Sequence, residues 1–424
     1  MSAPTPNAKA LLQNLSDYEA RFEEFKKRGL ALDMTRGKPS SEQLDLSSGL
    51  MTILEPNDVK SSDGVDVRNY GGLDGIPEMK AIFAEMLGAA PAQVIVGGNS
   101  SLTMMHDTIV RALIHGVPGG RGPWLGQSPK FLCPSPGYDR HFAVCEHLGI
   151  QTIPVELGED GPNLEQVEAL VAEDPSIKGM WCVPKYSNPT GITYSDEVVQ
   201  RLVAMRTAAP DFRLMWDNAY VVHHLYDEGD ELLDVLAAAK DAGNPDRPLV
   251  FGSTSKITYA GAGVAAMAAS ATNIEDAKKH LNVQTIGPDK VNQLRHVRFF
   301  KDYAGVEAHM RAHAELLRPK FEAVTRIFES ELGGLGVAEW TKPRGGYFIS
   351  LDTLEGCARE VVRLAATAGV KLTAAGATFP KGQDPEDKNI RIAPSLPPLS
   401  QVETAMEVVA VCVLLASARK LGAA

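Results

Sequence analysis

Between about residues 90 and 300 the chain alternates short apolar runs with longer amphipathic stretches, and this alternation restricts its fold more than any other feature. Residues 94–96, 130–133, 152–157, 179–183, 212–216, 249–251 and 264–269 have the length and unbroken apolarity of strands buried on both faces. Residues 101–115, 164–172, 196–207 and 273–281 carry apolar side chains at helical spacing. Strand and helix taking turns in this way build an α/β domain around a mostly parallel sheet.

Past residue 303 the pattern changes to one long helix over 306–332, a strand-like run at 346–351, and further helix–strand alternation to the end. The expected organisation is therefore an arm at 1–62 that also joins the small domain, a large domain at 63–302, and a smaller α+β domain at 303–424. A chain of 424 residues is long enough for two cores.

A formal charge of −11 argues against nucleic acid or an anionic membrane as partner, and a small molecule is expected instead. The N-terminus lacks a basic start followed by an apolar core, so the expected compartment is the cytoplasm. The apolar stretch at 406–416 is short for a bilayer and reads as a packed terminal helix. Five cysteines stand alone, with no histidine at metal-ligand spacing, and read as buried thiols; no metal is expected.

Four turns at strand ends carry chemistry. Ser253-Thr254-Ser255-Lys256 follows the run at 249–251, which puts a lysine at the carboxyl edge of the sheet, where open α/β sheets bind ligands. Partly desolvated there, a lysine loses part of its proton affinity and acts as a neutral amine toward an aldehyde, with Ser253 and Ser255 available to a phosphate. Alone, it would read as a solvated surface charge far more readily than as a reactive amine. Asn188-Pro189-Thr190-Gly191 and Asp217-Asn218-Ala219-Tyr220 close two earlier strands. An acid at 217 keeps a pyridine nitrogen protonated, and Asn188 and Tyr220 can donate to a phenolate oxygen. Their plainer readings are a turn and a helix N-cap. Gly97-Gly98-Asn99-Ser100-Ser101 joins a strand to a helix start, where backbone N–H groups and the helix dipole suit an anion.

Asn188-Pro189-Thr190-Gly191, then Asp217 with Ala219-Tyr220, then Ser253 with Ser255-Lys256, in this chain order, resemble the fold-type I pyridoxal-phosphate-dependent aminotransferases. The resemblance spans almost the whole chain, and it implies a large domain with a seven-stranded sheet and Lys256 as the Schiff-base lysine. It further implies Asp217 at the ring nitrogen, Tyr220 and Asn188 at the phenolate, and Tyr138 stacked on the ring. Gly98, Asn99, Ser100, Ser253 and Ser255 fall at the phosphate, and Tyr70 resembles the tyrosine that reaches the phosphate of a neighbouring subunit. Arg391 in Asn389-Ile390-Arg391 matches the arginine that grips the substrate α-carboxylate, where a planar fork suits the group. Gly37 matches a glycine against the substrate, and Pro343–Phe348 matches a Gly-aromatic strand of the small domain.

The resemblance thus implies a homodimer with shared sites and ping-pong transfer between an amino acid and a 2-oxo acid. Aspartate or glutamate is favoured because Arg36, beside Gly37, falls where the family faces the substrate side chain; Arg140, His141 and Lys38 are rivals for that role. One departure stands out: Val264 occupies the position of a phosphate-binding arginine. The AGAG run around it, with LDMTRGKPSSEQLD, DVRNYGGLDG and KVNQLRHVR, resembles a divergent bacterial aspartate aminotransferase subgroup also described as MocR-like. Residues 286–293 are a candidate contribution to the opposite subunit, or simply a helix start after Pro288. A β-eliminating lyase shares the same cofactor residues and stays open as a second reading. An aminotransferase-like regulator is a third, but the segment before Tyr70 has no basic helix-turn-helix.

Overall fold

The computed structural model describes residues 8–423. Seven strands, β1 (Val94–Val96), β2 (Lys130–Ser135), β3 (Gln151–Glu156), β4 (Ile177–Cys182), β5 (Arg213–Asp217), β6 (Pro248–Ser253) and β7 (Ala265–Ala269), form one sheet in the order β1-β7-β6-β5-β4-β2-β3. Only the pairs made by β7 are antiparallel. Alternate residues of each strand feed separate cores. Leu214 and Trp216 of β5 join one, with helices Pro77–Leu87, Asp196–Ala204 and Lys290–Phe300. Met215 joins the other, with helices Ser101–His115 and Ala271–Gln284. Except for the edge strand β3, which leaves Gln151, Pro154 and Glu156 exposed, the strands have no wet side, which is why they read as continuous apolar runs.

The parallel strands β2, β4, β5 and β6 all point their carboxyl ends the same way. The turns that carry Tyr138, Asn188, Tyr220 and Lys256 therefore gather along one edge. All seven expected strands are present, 94–96 with the bounds expected and the others with ends shifted by one or two residues. The helix expected at 196–207 stops at Ala204 because buried Arg247 donates to the carbonyls of Leu202, Val203 and Met205, taking up groups that a longer helix would use. Helices Pro77–Leu87 and Asp139–His147 were not expected.

A third core lies under the antiparallel strands Ala338–Trp340, Ile349–Thr353 and Asn389–Ile392 and the helices Tyr303–Leu332, Ala358–Thr367 and Leu399–Ala423. The strand expected at 346–351 begins later because Gly345 and Gly346 bridge to the large domain. Gly346 donates to the His223 carbonyl with φ +81°, and Gly345 pairs with His224. Helix Leu399–Ala423 is apolar enough to cross a membrane, yet its centre is buried inside this core against Tyr303–Leu332 and Leu15–Lys27, as the packed-helix expectation required. The arm returns to the same core: Leu32–Asp33 pairs in parallel with Val370–Lys371.

Candidate functional site

Lys256 enters a cavity of about 160 Å³ that it shares with Ser100, Ser101, Tyr138, Asn188, Asp217, Tyr220, Ser253 and Ser255. Its ammonium lies 4.8 Å from the centroid of the Tyr220 ring. Burial pushes its pKa down, and the nearby Asp217 charge opposes that shift. The result is an amine easier to deprotonate than a surface lysine and facing open space. Burial, with a smaller push from Asp217, raises the Tyr138 phenol to about 12, so it remains a neutral hydroxyl at physiological pH.

Asp217 ends β5 with its two oxygens in different situations. Oδ2 lies 3.0 Å from His141 Nε2, and both side chains are buried. A carboxylate only accepts, so that histidine nitrogen carries the hydrogen. The His141 ring is held by stacking on Trp181, at 4.1 Å between centroids and 5° between planes. Oδ1 is buried and has no partner. An unsatisfied buried acceptor costs about 1–3 kcal/mol, so the cavity is built to receive a donor there. His141 thus sits behind Asp217, which removes it as a rival for a substrate side chain. Its place in the first turn of helix Asp139–His147, just past Tyr138, is the one sequence signal that pointed to it.

At the opposite end, the 15-residue helix Ser101–His115 begins at the cavity wall, and the Ser100 side chain does not cap it. Its first N–H groups are left for an anion. The Ser253 and Ser255 hydroxyls lie 3.1 Å apart, and Ser255 Oγ donates to the Asn99 carbonyl. Gly98 and Asn99 do not line this cavity. They border an adjacent one of about 380 Å³ together with Gly263, Val264 and Arg295. Arg295 is the one basic side chain lining it and makes no hydrogen bond or ion pair among the described residues.

Arg391 reaches the site from strand Asn389–Ile392. Its Nη1 lies 3.0 Å from Asp139 Oδ1 and 3.3 Å from Asn188 Oδ1, its Nε is buried without a partner, and its guanidinium lies over the Phe348 ring at 5.0 Å. Gly37 packs on the other part of that ring: a Cβ there would stand 2.2 Å from Phe348 Cζ, so no side chain fits. Three sequence-distant motifs therefore meet at the Phe348 ring, beside the Arg391 guanidinium. Arg36, Lys38 and Arg140 are exposed around it, with no side-chain hydrogen bond or ion pair among the described residues.

Tyr70 is not in the cavity and is 79 % exposed. Among the described residues no group of three His, Cys, Asp or Glu side chains is placed to hold a metal. The groups that are present fit pyridoxal phosphate: an orphaned carboxylate oxygen for a ring N–H, an uncapped helix start with hydroxyls for a phosphate, and a free amine between them.

Comparison with known proteins shows the family and the fold. The family described as aspartate amino-transferase matches residues 6–424. An aspartate aminotransferase of Corynebacterium glutamicum is 52 % identical over 403 residues, covering 95 % of this chain and 93 % of that one. The crystal structure of an aspartate transaminase from Corynebacterium glutamicum superposes with a TM-score of 0.95 at 50 % identity, covering 98 % of each chain. An α-aminoadipate aminotransferase from Thermus thermophilus, solved with a phosphopyridoxyl-leucine adduct, shares the fold at a TM-score of 0.72 and 19 % identity, covering 94 % of this chain and 95 % of that one.

Proposed function

We propose, given that this chain belongs to the aspartate amino-transferase family, that it moves the amino group of a dicarboxylic amino acid, aspartate or glutamate, onto a 2-oxo acid. It is an aminotransferase; the choice of donor and the residue roles are our reading. The observation that carries the roles is the pairing of a free, pKa-lowered Lys256 with the unpartnered Oδ1 of Asp217 in one cavity.

Pyridoxal phosphate, when bound, supplies an aldehyde for the amino group and an electron-withdrawing ring next to the Cα–H bond. Lys256 would hold the cofactor between turnovers and, as a free amine, take the Cα proton and deliver it to the cofactor's aldehyde carbon, on the far side of the transferred nitrogen. Asp217 accepts the ring N–H through Oδ1 while His141 fixes Oδ2. Asn188 and Tyr220 donate to the phenolate oxygen, Tyr138 covers one ring face, and Ser100, Ser253, Ser255 and the N–H groups around Gly98 and Asn99 take the phosphate. Arg295 is the basic group best situated to offset the valine at 264. Tyr70, so exposed here, completes the phosphate site of a second copy in a homodimer.

Arg391 binds the α-carboxylate, replacing its Asp139 contact, with Gly37 and Asn188 closing around it. Replacing Arg391 with lysine keeps the charge but loses the fork, and should raise KM for aspartate at least about tenfold. Unchanged KM would assign the carboxylate to another residue.

Arg36 is our choice for the distal carboxylate. A charge-assisted hydrogen bond contributes about 1.5–3 kcal/mol, so Arg36→Ala should lower kcat/KM for aspartate by about 10- to 100-fold and leave a neutral amino acid within about twofold. Equal losses for both would remove Arg36 from this role. The overall reaction is tested by mixing the loaded enzyme with single amino acids and following the cofactor's absorbance. Aspartate or glutamate should convert it stoichiometrically with release of the 2-oxo acid; catalytic release of ammonia without an acceptor would replace the transferase reading with the lyase one.

A further inference from the structure

Tyr70 stands out from the surface on a turn that the chain secures from beneath. Gly71, Gly72 and Gly75 have φ of +97°, +66° and +98°, so the turn follows a path that other residues adopt only with strain. Under it lies Lys290, only 3 % exposed, whose Nζ donates to the carbonyl of Asn69 at 2.8 Å and to that of Gly71 at 2.6 Å. These two carbonyls flank Tyr70 on either side. A Cβ at Gly72 would lie 3.1 Å from Lys290 Cδ, so the turn is seated directly on the lysine stem. One turn further along the same helix, Gln293 Oε1 accepts from the Ile76 N–H at 2.9 Å, fixing the far end of the segment.

Local stability does not explain this lysine. It is the first residue of helix Lys290–Phe300, where the helix dipole disfavours a cation, and no carboxylate pairs with it among the described residues. Burying an ammonium against neutral carbonyls is costly unless the geometry it enforces is needed. What it enforces is the outward presentation of one tyrosine.

We infer that Lys290 is a positioning residue that holds Tyr70 ready for the cofactor phosphate of a second copy of the chain, an inference resting on the proposed role of Tyr70 above. Without the latch the turn has to be ordered each time the phosphate is gripped, and that ordering weakens binding. The sequence-level candidate at 286–293 then acts on the partner through Tyr70 rather than by contact.

The test measures cofactor binding to the full-length apoenzyme by absorbance, with pyridoxal phosphate and with pyridoxal, which lacks the phosphate. Lys290→Met and Tyr70→Phe should each raise Kd for pyridoxal phosphate about tenfold and leave pyridoxal unchanged, and the double variant should be no worse than either single one. Should Lys290→Met fail to fold, Lys290→Gln, which removes the charge while keeping a polar stem, is read in the same way. Wild-type binding by the latch variant while Tyr70→Phe is weakened, or multiplied losses in the double variant, would overturn the latch. Wild-type binding by Tyr70→Phe would instead remove the role of Tyr70 itself, and the latch with it.

Discussion

Replacing Lys256 with alanine is expected to slow the half-reaction with aspartate by about 10³-fold or more. A positioned acid–base group contributes roughly 10²–10⁴-fold, and this lysine also supplies the covalent hold on the cofactor. No other lysine lines the cavity, so no neighbour substitutes for it. The variant should still bind pyridoxal phosphate, since Ser100, Ser253, Ser255 and Asp217 are untouched. The rate is therefore measured in single turnover at saturating cofactor. A small primary amine added to the buffer should recover part of it by entering the space the side chain leaves. Wild-type turnover in the alanine variant would end the assignment of Lys256.

Asp217→Asn should lower kcat by about 10²–10³-fold with a smaller change in KM. The substitution keeps the shape but removes the charge and offers the ring nitrogen an amide in place of a carboxylate. Loss of one preorganised electrostatic contact in a dry site commonly costs about that much. His141 loses its acceptor as well, because an amide placed with its NH₂ toward Nε2 meets another donor. A kcat within about threefold of wild type would show that the carboxylate does not carry charge in the reaction.

The large domain was legible because its strands are buried on both faces. β1, β4, β5 and β7 have no exposed position, so apolarity alone marks them. Lys256 and Asp217 were legible for the same reason, as polar residues at the ends of unmistakable strands. His141 was misjudged because its contact with Asp217 spans 76 residues of sequence and depends on how helix Asp139–His147 packs over Trp181. Helix Pro77–Leu87 escaped notice because its second half is apolar at every position except Glu85 and shows little periodicity. Gly37 was placed by resemblance, and its physical reason, the Phe348 ring against its Cα, exists only in three dimensions.

The return of the N-terminal arm to the small domain has a consequence for how the protein is made. Leu32–Asp33 finds its strand partner at Val370–Lys371, and Thr35 is bonded from Thr373, 338 residues away. A ribosome delivers the chain from its N-terminus, so the segment bearing Arg36 and Gly37 emerges first and is among the last to be placed. Every strand of the sheet that carries Lys256 and Asp217 has been delivered by then. A product interrupted before residue 370 would thus retain the amine and its carboxylate while lacking the grip on substrate, a partial enzyme able to hold a cofactor but not to choose what reacts with it.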